Sequence, residues 1–393
     1  MQTLQRGVID LVKACLIQEK AHIGSDFDWA AAYHIGCSHN IVPMLNYGII
    51  QSNSQLPTEL RLRFRMDTLK SVVVDQKQLY EVKQIERKFQ EHAIDYLPLK
   101  GMILKQRYPH TEVRTMSDAD ILIREEQYEK IRSVMQELGF TEILESNHEL
   151  VLEKAGCLYL ELHKRLIPSY NKDYYAYYSD GWKLTHKVDG SRCEMRGEDE
   201  FIYLFTHYAK HYRDGGVGIR QVADLFVYMR TSPGLDFQYI EVELDKLGLL
   251  DFYCNTRETL RVWFEDGENS AMTDFITDTI FSSGAFGTNE KHVLSSGVKD
   301  AVCVNPKHVQ WQRRIKLIFP PAVVMMSVYP ILKKCKIMLP LVWVHRWLWV
   351  LLYRRENIRR NYENVKLLTA EKIIKHQAEL NYVGLKFNFG EEK

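Results

Sequence analysis

Apolar positions recur at helical spacing through roughly the first ninety residues. Ile9, Val12 and Ile17 line one face of a short helix, and Ile41-Val-Pro-Met-Leu45 reads as buried between turns. A longer helix starts around Pro57, where proline is tolerated in a first turn. Leu62, Met66, Leu69 and Val73 give it an apolar stripe, continued less regularly by Val82, Ile85 and Phe89. The stripe predicts packing along a core. Its spacing does not keep a heptad throughout, which argues against a coiled coil.

At residue 94 the pattern changes. Ile94-Asp-Tyr-Leu-Pro-Leu99 reads as a short strand with Lys100-Gly101 as its exit, Met102 to Tyr108 as a brief helix, and 109–113 as a loop. Asp118 to Ile123 reads as a strand, Glu125 to Leu138 as a helix with Ile131, Val134 and Leu138 inward, and Gly139 as its stop. Glu149 to Glu153 and Leu158 to His163 follow as strands joined by a turn at Ala155-Gly156. Together they predict an α/β (α+β) unit with a small mixed sheet and helices on one face, flanked by N- and C-terminal helical regions.

Helices return from Glu198, where Phe201, Leu204, Phe205 and Tyr208 share one face and Val222, Leu225, Phe226 and Met229 another. Residues 265–306, rich in Gly, Ser, Asn and Thr, read as loops with short helices. The expected organisation is a helical region over 1–93, the α/β core over 94–190, a helical domain over 191–310, and a basic, aromatic-rich helical region and tail over 311–393.

Composition narrows the class. An apolar fraction of 46%, with 22 Tyr, 16 Phe and 7 Trp, excludes a mostly disordered chain. Seven scattered cysteines without a Cys-x-x-Cys pair argue against a disulfide scaffold or a four-cysteine zinc site. A reducing, cytoplasmic setting fits them, and the N-terminus has no signal-peptide pattern. A net charge of +1 selects no partner, but 311–360 holds eleven Lys or Arg and one acid, Glu356. Its apolar stretches Leu317–Leu332 and Ile337–Tyr353 are broken by Pro320, Pro321, Pro330 and Pro340, and neither gives the ~20 apolar residues of a spanning helix. Three readings stay open: helices covering the α/β unit, contact with an anionic membrane surface or a protein partner, and insertion into a bilayer. Nothing points strongly to nucleic acid, because the expected sheet lacks the aromatic platform of a single-strand reader.

The candidate chemistry is a pair of carboxylates. Residues i and i+2 of a strand project from one face, so Asp118 and Asp120 can address one ion while Ala119 and Ile121 face the core. Mg²⁺ takes oxygen ligands and commonly combines one or two carboxylates with substrate phosphates. Lys100-Gly101, at a strand exit before a helix, can bring backbone N–H groups close to a phosphate. Arg114 has the forked geometry to hold phosphate oxygens, and Ser117 can cap the turn or donate to phosphate. His148 precedes a strand beside the same cleft. His207, His211 and Asp224 form a second polar cluster on helices, without the glutamate of a helical zinc motif. Asp224 lies on an apolar face and needs a partner, for which Arg220 or a histidine is expected.

Leu99-Lys100-Gly101, Arg114-x-x-Ser117-Asp118-Ala119-Asp120-Ile121-Leu122-Ile123, Gly139-Phe140 and Leu160-Glu161-Leu162-His163 together resemble an uncharacterised nucleotidyltransferase family associated with bacterial polysaccharide and natural-product gene clusters. That family lies in the DNA polymerase beta-like nucleotidyltransferase superfamily. The chain is also similar to the minimal nucleotidyltransferases of abortive-infection systems. The resemblance is strong over about 94–165. It implies that Lys100 and Gly101 take the place of the superfamily's glycine-serine phosphate turn, without the serine. It further implies that Asp118, Asp120 and Glu161 bind Mg²⁺ or Mn²⁺, and that His163 orients the nucleotide or is structural. The implied reaction transfers a nucleoside monophosphate from an NTP to an unidentified hydroxyl or phosphate acceptor. An inactive scaffold or nucleotide-binding protein of the same fold, and a toxin-like transferase acting on RNA or protein, are the competing readings.

Overall fold

The computed structural model describes residues 1–52, 54–303, 305–353 and 355–387. Arg354 and the last six residues of the expected C-terminal tail lie outside them. The chain forms two compact units. The first holds 1–210, 217–286 and the terminal segment from Val383, and the second holds 211–216 and 287–382.

The first unit is built on one mixed sheet of seven strands, larger than the small sheet expected. The strands are β1 (Tyr96–Leu99), β2 (Asp118–Ile123), β3 (Thr141–Glu145), β4 (Glu149–Lys154), β5 (Leu158–His163), β6 (Thr185–Asp189) and β7 (Arg192–Met195), in the order β3-β4-β5-β2-β1-β7-β6. β2 and β5 lie side by side and parallel, joined by a crossover through the helix Tyr128–Glu137 and the β3–β4 hairpin. Alternation sorts the two faces. Ala119, Ile121 and Ile123 of β2 join Leu158, Leu160 and Leu162 of β5 and Leu150 and Leu152 of β4 in a fully buried layer. Ile131, Val134 and Met135 of the crossover helix cover that layer, with Ile85 and Phe89 of the long N-terminal helix. The opposite face of β2 and β5 carries Asp118, Asp120, Glu161 and His163. Gly139 ends the crossover helix at φ +80°, and Gly156 makes the β4–β5 turn at φ +68°.

The unforeseen strands β3 and β6 are the two edges of the sheet. β3 is exposed at every position and β6 at all but its first, so neither has a buried face to impose an apolar–polar alternation. β7 pairs with both β6 and β1.

The long helix runs over 34 residues, Thr58–Glu91. Its apolar stripe does not face the core as expected: Leu62 is 55% and Met66 53% exposed, and Leu69 and Val73 are also exposed. The covered face holds Phe64, Thr68, Asp75, Gln78 and Glu81, joined further along by Ile85 and Phe89. Its polar members are paired. Lys105 and Thr111 donate to Asp75, Gln78 Nε2 donates to the Met116 carbonyl at 2.8 Å, and Lys154 Nζ donates to Glu81 at 2.7 Å. Periodicity shows which residues share a face; the partners available decide which face is buried. Residues 41–45 are buried as expected, Val42 to Leu45 within the first turn of the helix Val42–Ser52.

Residues 265–306 are more regular than their composition suggested, with helices Ala271–Phe281 and Asn289–Cys303. Ser270 caps the first, accepting from Thr273 N. In the second unit, Asn289–Cys303 packs with the helices Pro306–Ile318, Arg355–Leu367 and Ala370–Tyr382. The apolar 317–353 stretch is broken into Ala322–Val328, Ile331–Lys334 and Leu339–Tyr353. Among the described residues no helix is long and apolar enough to cross a membrane.

Candidate active site

The site lies on the sheet face opposite the apolar layer. The parallel register sets Asp120 against Glu161 and Leu122 against His163, and the antiparallel register sets Leu99 against Asp120. Lys100, the residue after Leu99, turns out of β1 at φ +46°, ψ −112°, a conformation rare for a side-chain-bearing residue and often kept at functional sites. Its ammonium donates to Asp120 Oδ1 at 2.7 Å. His163 Nε2 meets the same oxygen, also at 2.7 Å.

These contacts decide the charge states. Burial works to raise the Asp120 pKa, but Lys100 and His163 outweigh it and hold the carboxyl well below the usual range. Burial works equally against the Lys100 ammonium, which Asp120 then raises above the ordinary lysine value. Glu161 has less compensation. Burial and the charges of Asp120 and Asp118 push it up to about 7. Asp118, half-buried, is raised for the same two reasons, burial and Asp120. The face therefore concentrates more carboxylate than its own cations neutralise.

The donor set fits a divalent cation. Asp120, Glu161 and His163 offer ligand atoms within 4.8 Å of one another, and Asp118 stands two residues along the strand from Asp120. Among the described residues His148, Glu149 and His163 form a second such group, and neither group includes His207, His211 or Asp224. His148, expected only as a neighbour of the cleft, has its ring centroid 5.2 Å from that of His163, the rings tilted by 45°. Burial above all, with the nearby cations Lys210 and Lys100, lowers its pKa to about 3, so the ring is neutral in ordinary buffers.

Arg114 is the main departure. Its guanidinium is buried and grips Asp224 with both arms, Nε to Oδ1 at 3.1 Å and Nη2 to Oδ2 at 2.9 Å, while Nη1 donates to the Thr115 carbonyl. The expectation that this fork holds phosphate oxygens therefore meets a fork already in use. Tyr108 Oη also donates to Asp224, at 2.8 Å. The hydrogen-bond partners of Asp224 are thus Arg114 and Tyr108, and Arg220 meets it through charge. Gly101 serves the same packing: a Cβ there would lie 2.9 Å from Arg114 Nη1 and 3.0 Å from Met116 Sδ. Ser117 is exposed just before β2.

Arg220 was not foreseen at the site. It is buried, donates through Nη1 to the Thr115 carbonyl at 2.7 Å, and acts electrostatically on Asp118. Its Nε is buried without a hydrogen-bond partner, and burial and the Arg114 charge lower its pKa to about 10. It lies far from β2 in sequence, on the helix Ile219–Thr231, so spacing carried no signal for it.

A family described as "Uncharacterised nucleotidyltransferase" matches residues 25–265, more than half of the chain and all seven strands. The chain belongs to this family. Comparison with curated proteins and with solved structures found no match. The match starts before the long helix and ends after the helix Leu250–Phe264, so the nucleotidyltransferase region takes in the helices around the sheet as well as the sheet itself.

Proposed function

We propose that the chain transfers a nucleoside monophosphate from an NTP to a hydroxyl or phosphate acceptor, releasing pyrophosphate. The observation that carries the reading is the in-register pair Asp120 and Glu161, with Asp118 on the same face and Lys100 on Asp120. Asp118, Asp120 and Glu161 would hold Mg²⁺ or Mn²⁺, an ion that polarises the α-phosphoryl group and offsets charge on the departing pyrophosphate.

The chain's own groups supply the rest. The acceptor oxygen bonds to the α-phosphorus as the bond to the bridging oxygen breaks, so negative charge gathers on the leaving group. Lys100 and Arg220 bring positive charge to this face. Glu161, in register beside Asp120, can take the acceptor proton. The family resemblance favours an acceptor in polysaccharide or natural-product synthesis.

The test is NTP titration with and without Mg²⁺, on the wild type and an Asp118→Asn/Asp120→Asn variant. The wild type should bind NTP in a metal-dependent manner and release pyrophosphate once an acceptor is supplied. Metal-dependent binding that survives the double substitution would sink the site.

A further inference from the structure

We infer that His148, Glu149 and His163 form a second metal site, for a divalent transition ion of the zinc class, beside the carboxylate face. The backbone builds it. Glu149 and His163 are cross-strand partners of β4 and β5, and the Lys164 N–H donates to the His148 carbonyl at 2.8 Å, fixing the residue just before β4.

The spacing of the side chains is that of ligands rather than of hydrogen-bonded neighbours. His163 Nδ1 lies 3.6 Å and His148 Nε2 3.9 Å from Glu149 Oε2. Both distances exceed a hydrogen bond. Ligands bound at about 2.0–2.2 Å in a tetrahedral arrangement stand roughly 3.4 Å apart, close to this spacing.

The chemistry of His163 points the same way. Asp120 Oδ1 already accepts from the Lys100 ammonium and meets His163 Nε2 at 2.7 Å, so it is an acceptor here and Nε2 carries the hydrogen between them. In the neutral ring Nδ1 is then a lone pair. It is buried, with no hydrogen-bond partner, in a residue only 5% exposed. A histidine that donates one nitrogen to a carboxylate and turns the other toward further ligands is the usual arrangement around a bound ion. Glu149, a quarter exposed, leaves a way in. Two imidazoles and one carboxylate suit a borderline ion better than Mg²⁺. The ion would fix the His163 tautomer that donates to Asp120. The inference does not depend on nucleotidyl transfer.

Chelator-treated full-length chain titrated with Co²⁺ is the test, read by its visible d–d absorption. With Mg²⁺ in excess to occupy the carboxylate face, one equivalent should bind in the wild type and in Asp118→Asn. His148→Ala and Glu149→Gln should each weaken binding at least about tenfold. Unchanged binding in His148→Ala, or loss confined to Asp118→Asn, would overturn the site. Should the His148 variant not fold, NMR of ¹⁵N-histidine wild type decides: Zn²⁺ must shift His163 Nδ1, and an unmoved resonance rules the site out.

A separate observation concerns the second unit, whose geometry points to docking on an anionic bilayer surface. Three side chains of Leu339–Tyr353 donate to carbonyls at and just beyond the end of Pro306–Ile318: Trp347 to Ile318 at 2.7 Å, Trp343 to Pro320 at 2.9 Å and Arg346 to Leu317 at 3.2 Å. This joins the two helices; Val309 and Val342 are buried, while other apolar residues of these helices and of the turn Lys336–Met338 stay outside. Ile337 is 89% exposed and Leu341 and Leu352 each 67%, and Trp311 and Trp349 are exposed as well. A cavity of about 530 Å³ opens among Leu317, Ile318, Trp347 and Leu351, with Arg314 and Arg346 also lining it. Apolar walls and arginines together suit an acyl chain with an anionic head.

The excess of eleven cations over one acid in 311–360 selects the anionic surface over an uncharged one. Exposed Trp beside Lys and Arg is the composition of a helix lying in the interface. Full-length chain should pellet with phosphatidylglycerol vesicles and not with phosphatidylcholine, and salt should release it. Lys333→Glu/Lys334→Glu/Lys336→Glu, all at exposed positions, should weaken binding at least about tenfold. Brominated acyl chains should quench tryptophan fluorescence. Failure to pellet with anionic vesicles at low salt, equal pelleting with both lipids, or a dimer that buries these helices instead would each overturn it.

Discussion

On the carboxylate face of the sheet, Asp120 and His163 are buried with their polar groups meeting inside the fold, whereas in the second unit Ile337, Leu341 and Leu352 stand in solvent. Each region reverses the common placement of residue types, in opposite senses. Buried charge is tolerated in the first because partners are in place: Lys100 for Asp120, Arg114 for Asp224, Lys105 for Asp75. Exposed apolar surface needs no partner to fold and commonly marks a surface made to meet something else. The two should therefore respond oppositely to substitution. Changes at the buried charges should harm folding or chemistry, and changes at the exposed apolar residues should harm association alone.

Asp224→Ala gives the largest expected effect on stability. It leaves the Arg114 guanidinium buried without its carboxylate and removes the acceptor for Tyr108. Breaking such a pair costs about 3–5 kcal/mol. Urea denaturation measures the loss, and a value under about 1 kcal/mol would show that solvent reaches Arg114 and that the pair is not a buried one.

Glu161 makes the next test, through pH. Its pKa rises on folding from an ordinary 4.5 to about 7. The folded chain thus holds this proton more tightly than the unfolded one, and the group's contribution to stability falls as pH climbs between those values. A divalent cation reverses the penalty, because it binds the deprotonated carboxylate. Mg²⁺ should accordingly raise the melting temperature more at pH 8 than at pH 5.5. In Glu161→Gln that difference should shrink. Equal shifts at both pH values in the wild type would remove the cation from this face.

The sequence made the carboxylate face readable because a strand repeats every two residues: Asp118 and Asp120 against Ala119 and Ile121, Glu161 and His163 against Leu160 and Leu162. Gly139 marked the end of the crossover helix for an equally local reason. What stayed hidden was set at a distance or by partners. Arg114 and Asp224 meet across 110 residues, so a fork that looked available for phosphate is already taken. The edge strands β3 and β6 have no covered face and so no alternation. The long helix shows a regular apolar stripe, yet Asp75, Gln78 and Glu81 are the buried side because Lys105, Met116 and Lys154 wait for them. In 265–306 the Ser and Thr that suggested loops include a helix cap, Ser270 with Thr273.

The smallest expected effect on folding completes the contrast. Ile337→Ser and Leu341→Ser remove apolar side chains that are mostly in water already, so each should change stability by less than about 0.5 kcal/mol in urea denaturation. Together they should still lower retention on phosphatidylglycerol vesicles, since each removes apolar surface that a bilayer would bury. A loss of several kcal/mol would mean that these residues are core to the unit, and the exposed face would no longer stand as the counterpart of the buried carboxylates. Unchanged folding with unchanged vesicle retention would leave the basic residues alone to account for binding, and Lys333, Lys334 and Lys336 would then carry the whole salt dependence.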